Sequence, residues 1–452
     1  MSNHSGLESS LGWERIQASD IINSQDVIQI ETSGTAEDAC ITLIKNSISS
    51  IPLHDSKSNS YLGLFDLNDL VKHINLSISR SGTTTPTEAK DPSSFVSFAK
   101  LDSFSPKYLE KEPGSFTNDS NTPDDLFPQD ENTSNESANF SFLNKNVLKL
   151  SDISTSNPFY AVMPESSLAQ IIDIFSSGVH RVAVMCDNDK IMGILSQSSV
   201  IKYLVNNLKV FKIKSDMPQG SPTHEEASKD DNSSDPLINL LEKPLNELGL
   251  AYRTIWAVRT HTPVTSALYV LERQQISSLP IVNDSNSIIG SLSISDIKYI
   301  VLPKFRHLIR GTCIELVQKV RFYQGIIDGK DRAAVFAVHP DSTLKSVMSK
   351  LSATSSHRIW VTTGSKRLST GGLPLTSVNT TEIDDSSIPS HPNTKYPGLC
   401  VVDGSGIHRY YSHTNLQEGS IVGVVSLTDV LSTISKLTQV RNESVDNYSV
   451  MN

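Results

Sequence analysis

Three aspartates share a position at which a carboxylate could bind a ligand. Asp69, Asp296 and Asp429 each follow a glycine-containing strand, with the glycine expected at the strand end, and each opens a helix. A carboxylate offers two acceptor oxygens and no donor, and a helix N-terminus places backbone N–H groups beside it. Ser293 and Ser426 stand three positions earlier and could complete a capping box that needs no ligand. The residue types favour both roles equally.

Two His-Arg pairs form a second constellation. His180-Arg181 and His357-Arg358 both stand between an amphipathic helix and the strand after it. An arginine fork binds phosphate oxygens in pairs, and a histidine adds a donor or a charge. One such pair would more often be a solvated loop, but two at equivalent positions favour an anion site. No nucleophile stands at a recognisable spacing, and the sequence contains no GxSxG, P-loop, HExxH or HRD motif. We therefore expect no enzyme.

Composition limits the class of protein. The 452 residues carry a formal net charge of -10, which argues against a general nucleic-acid binder. No apolar run approaches the ~20 residues of a membrane-spanning helix, and the first residues do not resemble a secretory signal. Cys40, Cys186, Cys313 and Cys400 form no CxxC pair, so we expect neither a zinc site nor disulfides. Reduced thiols are typical of a cytoplasmic or nuclear protein.

The elements that must position these residues recur four times. Each segment has an amphipathic helix, an apolar strand, a glycine-containing strand and a polar turn into another helix. The first strands read SIPLH, RVAVM, SLPIV and RIWVT. The apolar helix positions are Ala36, Ala39, Cys40, Leu43 and Ile44; Leu168, Ile171, Ile172 and Phe175; Val264, Ala267, Leu268 and Leu271; and Leu344, Val347, Met348 and Leu351.

This βαββα unit, with the pattern G-h-h-[ST]-x-x-D-h, resembles the CBS repeat. One repeat of roughly 50 residues is too small to bury an adequate core alone. The resemblance implies an α/β fold in which four repeats form two CBS pairs (Bateman modules), and the pairs form a disc. It also implies that the turn aspartate binds both ribose hydroxyls of a nucleotide. The two His-Arg pairs would face the centre of the disc, where phosphates converge.

Stretches rich in Ser, Thr, Asn, Asp and Pro separate the repeats. Such composition buries too little apolar surface to offset the entropy of ordering, so we expect disorder there. These stretches could carry regulatory phosphorylation or be tolerated surface loops, and loops are favoured. The expected units are an N-terminal tail (1–14), repeat 1 (15–76), a linker (77–146), repeat 2 (147–211), a linker (212–235), repeat 3 (236–304), repeat 4 (305–436, with an insertion at 365–395) and a C-terminal tail (437–452).

The sequence is also similar to the gamma subunit of AMP-activated protein kinase, a nucleotide sensor with four CBS repeats. The likeness is clearest at residues 257–264 (AVRTHTPV), which lead into repeat 3. It implies AMP, ADP or ATP as a regulatory ligand, with no cofactor required. The site of Asp429 would use Thr262, Ala267, His357, Ser426 and Thr428. The site of Asp296 would use Arg181, Ser277, Ser278, Arg358 and Lys319, with His180 beside Arg181.

The other two repeats match that gamma subunit less well. Asp66 places a second carboxylate beside Asp69, while an arginine expected near Ser49 and a lysine expected at Ser198 are missing. Two carboxylates without those cations should repel a phosphate. Ser199 replaces the aspartate in repeat 2. We therefore expect at most two nucleotide sites, formed by repeats 3 and 4 or by their contacts with repeat 2.

A second resemblance matches more of the chain in detail. The motifs that carry it are at residues 37–40 (EDAC), 65–70 (FDLNDL), 175–181 (FSSGVHR), 193–197 (GILSQ), 356–361 (SHRIWV) and 423–431 (GVVSLTDVL). They resemble a fungal family of four-CBS proteins that inhibit type 2A protein phosphatases and affect cell-cycle progression, cell separation and the stress response. Departures are Ser198-Ser199, where basic residues usually follow GILSQ, and a short N-terminal tail.

This resemblance implies a non-catalytic regulator that binds a catalytic or regulatory subunit of a 2A-type phosphatase. The pathway could be the cell cycle, cell separation, DNA replication, or stress and nutrient signalling, in the cytoplasm and nucleus. We expect no nucleic-acid or membrane partner, and a homodimer stays open. The first alternative is the nucleotide-sensing gamma subunit of an AMP-activated-type kinase. The second is a scaffold in which the aspartates and serines only cap helices.

Overall fold

A computed structural model describes the protein at residues 12–22, 27–81, 141–151, 159–186, 190–215, 235–329, 335–363, 381–383, 398–403, 408–412 and 419–449. The linkers expected at 77–146 and 212–235, the insertion expected at 365–395, and the two tails lie largely outside these residues. Within the described part, helices extend into both linkers and into the C-terminal tail, ending at Ser81, Ser215 and Ser449.

Each repeat folds as a strand, a helix, an antiparallel strand pair and a second helix, as the sequence pattern predicts. A short helix, α1 (Ala18–Ile21), precedes repeat 1. Repeat 1 contains β1 (Ile30–Glu31), α2 (Ala36–Lys45), β2 (Ser50–Asp55), β3 (Ser60–Asp66) and α3 (Leu67–Ser81). Repeat 2 contains β4 (Ala161–Val162), α4 (Leu168–Ser176), β5 (Arg181–Cys186), β6 (Lys190–Ser196) and α5 (Gln197–Ser215).

The second half begins with α6 (Pro236–Glu242). Repeat 3 contains β7 (Ile255–Arg259), α7 (Val264–Arg273), β8 (Ser278–Val282), β9 (Ile288–Ser293) and α8 (Ile294–Ile297). The helix α9 (Cys313–Asp328) leads into repeat 4, which contains β10 (Ala337–Val338), α10 (Leu344–Thr354), β11 (Arg358–Thr362), β12 (Thr381–Ile383), β13 (Gly398–Val402), β14 (His408–Ser412), β15 (Ile421–Ser426) and α11 (Leu427–Ser449).

Local chemistry sets where the first helix of each repeat begins and ends. Thr35, Ser167 and Thr343 cap three of these helices, each accepting a hydrogen bond from the backbone N–H three residues on. Just past each helix one residue adopts a left-handed conformation, which reverses the chain toward the next strand. These residues are Ser47, Gly178, Gln275 and Ser355, with φ of 54°, 100°, 51° and 52°.

The glycine of each second strand marks a β-bulge rather than the strand end, which corrects the expectation from sequence. Each strand continues three residues beyond Gly63, Gly193, Gly290 and Gly423. The pairing register shifts at that glycine in all four repeats, and the residue before it is skipped. A bulge re-aims the neighbouring side chains. The skipped residues Leu62, Met192 and Ile289 are accordingly exposed.

The insertion in repeat 4 is partly β-structure, where the composition predicts disorder. Strand β13 pairs in parallel with β7 of repeat 3 and joins a six-stranded sheet ordered β12-β14-β13-β7-β8-β9. Residues 398–402 (GLCVV) are apolar enough to bury this strand, although the stretch before it is polar. The insertion therefore begins after Thr363 and extends to Gly419, beyond the expected 365–395.

Two helical cores hold the four repeats together. One core joins helices of repeats 1 and 3, including Leu70 and Leu268. The other joins helices of repeats 2 and 4, including Phe175 and Leu431. A third, smaller cluster lies between the strands of repeats 3 and 4 around Trp360. The fold is thus an assembly of two CBS pairs, 1 with 2 and 3 with 4, that pack through their helices, as expected.

The segments that lead into the repeats are exchanged within each pair. We call these the lead-in segments: 12–22, 141–151, 235–254 and 303–328. Each packs on the other repeat of its pair. There, one of its residues forms an isolated β-bridge with the N-cap residue of that repeat's first helix. Residues 15–22, expected in repeat 1, therefore belong to the core of repeat 2. The bridges are Gln17 to Ser167, Asn146 to Thr35, Pro244 to Thr343 and Thr312 to Pro263.

Candidate ligand cavity

One cavity at the junction of the four repeats contains most of the side chains that the sequence singled out. Its volume is about 2330 Å³. A pocket for a small ligand is typically ~300–1,000 Å³, so the cavity has room for more than one such molecule. Its lining includes residues of all four repeats and of the lead-in segments before repeats 3 and 4.

A basic cluster, His180-Arg181 and His357-Arg358, lies in this cavity. The two arginines begin β5 and β11, and each reaches into the other repeat of its pair. Arg181 donates a hydrogen bond to the hydroxyl of Ser49, and Arg358 donates one to Ser277. The cluster is therefore built twice, once in each pair, and both copies line the same space.

The charges in this cluster are fixed by burial. Burial, reinforced by the charge of Arg181, lowers the pKa of His180 to about 4. Burial and the charges of the cluster likewise lower the pKa of His357 to about 4. Burial lowers the pKa of Arg358 to about 10, which still leaves it charged at neutral pH. The cluster thus presents two guanidinium cations and two neutral imidazoles, a combination suited to an anion.

The surroundings of Asp429 partly match the prediction. One carboxylate oxygen caps α11, accepting from the Ser426 N–H at 2.8 Å and its hydroxyl at 2.7 Å. The other accepts from Arg253 Nη1 at 2.7 Å. Thr428 exchanges hydrogen bonds with Gln197. His357, Ser426 and Thr428 line the cavity beside Asp429, as expected.

Thr262 and Ala267, predicted for the same site, are not in the cavity lining. The Thr262 hydroxyl is fully buried and donates to the backbone carbonyl of Val402 at 3.0 Å. That carbonyl belongs to β13, so the Thr262 hydroxyl donates to the insertion strand instead of facing the cavity. Ala267 is fully buried in the core between repeats 1 and 3.

Asp296 is enclosed. Its side chain has no exposed surface, and Arg321 holds both of its oxygens at 3.0 and 3.1 Å. Burial raises the pKa of Asp296, while the charge of Arg321 opposes that shift. Lys319, predicted for this site, lies on the exposed side of α9 instead. Arg321 follows buried Val317 by four residues, so it lies on the inward face of α9, and this helical spacing favours Arg321 over Lys319 as the partner of Asp296.

The serines predicted for the Asp296 site do line the cavity. Ser277 accepts a hydrogen bond from Arg358, while Arg181 reaches Ser49 of repeat 1 rather than Ser277. The Ser278 hydroxyl is buried and has no hydrogen-bond partner within the described parts of the chain. Ser278 therefore lines the cavity with an uncommitted hydroxyl that is itself buried.

The Asp69 region differs from the expectation in one respect. Asp66 takes the cap position that serine holds in repeats 3 and 4, accepting from the N–H groups of Asn68 and Asp69. The cation expected near Ser49 is supplied from repeat 2 by Arg181, whose side chain reaches across the CBS pair. Ser199, which replaces the aspartate of repeat 2, caps its helix with Ser196.

Among the described residues, no cluster of three or more His, Cys, Asp or Glu side chains is placed to hold a metal ion. None of the described helices is long and apolar enough to span a membrane. All four cysteines are free, and burial raises the pKa of Cys40 to about 12.

Comparison with known proteins agrees with this architecture. The family model described as CBS domain matches residues 150–206 and 251–302. Protein SDS23 of Vanderwaltozyma polyspora is 26% identical over 444 residues, covering 97% of this chain and 71% of that protein. Protein SDS24 of Saccharomyces cerevisiae is 24% identical over 482 residues, covering 97% of this chain and 78% of that protein. The chain is thus similar, over nearly its whole length, to the fungal SDS23 and SDS24 proteins.

This likeness confirms the second resemblance seen in the sequence, and together with the CBS domains it supports a CBS-domain regulatory protein. Among solved structures, a protein of Methanocaldococcus jannaschii described as a candidate archaeal homologue of g-AMPK covers 93% of this chain and 100% of its own, with a TM-score of 0.50 and 10% identity. At that identity the likeness concerns the fold alone. The chain therefore has the four-repeat CBS fold that the sequence predicts.

Proposed function

We propose that the protein inhibits a 2A-type protein phosphatase by stoichiometric binding and that an adenine nucleotide in the central cavity tunes this inhibition. The observation that carries the ligand part is the doubled basic cluster facing one cavity. Two buried guanidinium groups and two neutral imidazoles suit the phosphate of a nucleotide, and Asp429 lies close enough to Arg358 to interact with its charge. The likeness to the fungal SDS23 and SDS24 proteins supports the phosphatase part, since the resemblance in the sequence implies that partner.

A ligand at the junction of four repeats is well placed to act on a partner. The cavity is bounded by both CBS pairs, so a nucleotide bound there lies where the two pairs meet. A ligand shifts a conformational equilibrium only by its difference in affinity for the two states. We propose that the two pairs move against each other along their helical cores and that the phosphatase prefers one of these arrangements. The protein would act in the cytoplasm and nucleus, in cell-cycle, cell-separation, replication or stress signalling.

Affinity purification of the full-length protein from fungal cells tests the partner. Recovery of a catalytic or regulatory subunit of a 2A-type phosphatase is the expected result. Recovery of kinase catalytic and beta subunits would instead favour the gamma-subunit function, which the fold likeness also allows.

Calorimetry tests the ligand. Full-length protein is titrated with AMP, ADP and ATP, beside an Arg358→Ala variant whose folding is checked by circular dichroism. Heat with the native chain that is lost in the variant supports a nucleotide in the cavity. Absence of heat with all three nucleotides would remove the sensor role, while the inhibitor role would stand or fall on the purification.

A further inference from the structure

Both aspartates predicted to bind a ribose are already paired with an arginine from a lead-in segment. Arg253, in the segment before repeat 3, reaches Asp429 of repeat 4 at 2.7 Å. Arg321, on α9 before repeat 4, reaches Asp296 of repeat 3 at 3.0 Å. Because lead-in segments are exchanged within the pair, each arginine meets the acid of the opposite repeat. A ribose diol must displace this arginine before it can use the carboxylate.

The two ion pairs differ in how easily they can open. The Arg253 side chain is 40% exposed and that of Asp429 is 17% exposed. The Arg321 side chain is 23% exposed and that of Asp296 is fully buried. Water can reach the Arg253–Asp429 ion pair and replace a lost partner, because both side chains are partly exposed. Such an ion pair contributes little net stability. Separation of the second pair would leave a buried carboxylate without its cation, which is strongly unfavourable.

The hydrogen bonds around each acid point the same way. In Asp429 one oxygen caps α11 and only the other meets Arg253, so a single contact blocks the free acceptor. In Asp296 both oxygens contact Arg321, and Arg321 is held further by Gln324 at 3.0 Å. The backbone N–H of Arg253 is fixed to the Val422 carbonyl at 3.2 Å, so only its side chain needs to move.

We propose that Arg253 is a gate that competes with the ligand for a single site at Asp429, and that the Asp296–Arg321 pair is a closed structural contact that binds no ligand. This inference rests on the proposed nucleotide function. The ligand class is a nucleoside phosphate whose diol takes the Asp429 oxygen released by Arg253 and whose phosphate meets Arg358 and His357. The second site predicted from the sequence is thereby removed.

Calorimetry with AMP on the full-length protein tests this gate at constant pH and salt. The native chain should bind one AMP per protein. Arg253→Gln removes the competing cation and should tighten binding about two- to five-fold, the range an exposed ion pair allows. Asp429→Asn should weaken binding about ten-fold or more, since it removes a charged acceptor of hydrogen bonds.

The matched control is the double variant Asp296→Asn with Arg321→Gln, which keeps the shape of the closed pair without its charges. It should bind AMP within two-fold of the native affinity. Arg321→Gln alone should lower the melting temperature without tightening binding, unlike Arg253→Gln.

Three results would overturn the gate: two AMP molecules per protein, loss of binding in the double variant, or weaker binding in Arg253→Gln. These results all require measurable binding, so they leave the nucleotide function intact. No heat with either the native chain or Arg253→Gln would overturn the gate and the nucleotide function together.

Discussion

The two CBS pairs carry the same basic cluster but different acids. Arg181 with Ser49 in the first pair and Arg358 with Ser277 in the second are equivalent contacts. The acids differ, because the first pair has Asp66 and Asp69 as mutual caps and Ser199 in repeat 2, whereas the second has Asp296 and Asp429. The groups that suit a phosphate are thus duplicated, while the two ion pairs that join a turn aspartate to a lead-in arginine, Arg253–Asp429 and Arg321–Asp296, both lie in the second CBS pair. The two CBS pairs therefore share a fold but differ in the acidic side chains available to a ligand.

The largest expected effect tests whether equivalent glycines are equally constrained. A Cβ added at Gly423 would lie 2.0 Å from the backbone oxygen of Ala251, whereas one at Gly193 would meet the side chain of Ile22 at 2.4 Å. Backbone cannot give way as a side chain can, so Gly423→Ala should lower the free energy of unfolding by about 3 kcal/mol and Gly193→Ala by about 1 kcal/mol. Urea denaturation measures both, and Gly63→Ala, with 3.7 Å of room, is the control. Equal losses at all three glycines would contradict the difference.

The second prediction concerns the two arginines. Arg358→Ala should weaken AMP binding about ten-fold or more, because a charge-assisted hydrogen bond in a buried site is lost. Arg181→Ala should weaken it less, since the proposed phosphate contacts are Arg358 and His357, whereas Arg181 reaches Ser49 of repeat 1. Calorimetry compares the two, with thermal melts as a check on folding. A larger loss for Arg181→Ala would place the phosphate in the first pair.

The third prediction follows from the buried histidines. Their folded-state pKa of about 4 lies below the ordinary value of 6.5, so unfolding takes up protons and stability falls as the pH drops from 6.5 toward 4. Each histidine should contribute a loss of about 2 kcal/mol at pH 5. Urea denaturation from pH 7 to pH 5 should therefore show a shallower decline in His180→Gln and in His357→Gln. The benefit should be smaller for His180, because the charge of Asp66 favours its protonated form. An unchanged decline in both variants would contradict the burial of these rings.

The smallest effect is expected at Ser278. Its hydroxyl has no partner within the described residues, so Ser278→Ala should change the free energy of unfolding by less than about 0.5 kcal/mol. If the Asp296 region binds no ligand, AMP affinity should also stay within two-fold. A clear loss of affinity in calorimetry would bring Ser278, and with it the second site, back into the binding surface.

The sequence predicts the four repeats and their order of strands and helices, since helical spacing and strand motifs recur in register. The placement of His180, Arg181, His357 and Arg358 in one cavity followed from their equivalent positions. The sequence pattern does not predict the exchange of lead-in segments, because Trp13 and Ala251 are buried by repeats that are distant in sequence. Thr262 was misplaced because β13 comes from an insertion whose composition suggests a loop. Arg253 carried no local signal at all, since its position depends on a backbone contact with repeat 4.

The exchanged lead-in segments also constrain how the chain can be made. Trp13 finds its core only after residues 162–208 of repeat 2 exist, and the same rule applies to residues 235–254 and repeat 4. At a synthesis rate of ~5–20 residues per second, the N-terminal segment must wait roughly 10–40 s on the ribosome before it can be buried. The apolar side chains of this segment are therefore exposed in the nascent chain for that time. No single repeat can complete its own core before the lead-in segment that packs on it has also been synthesised.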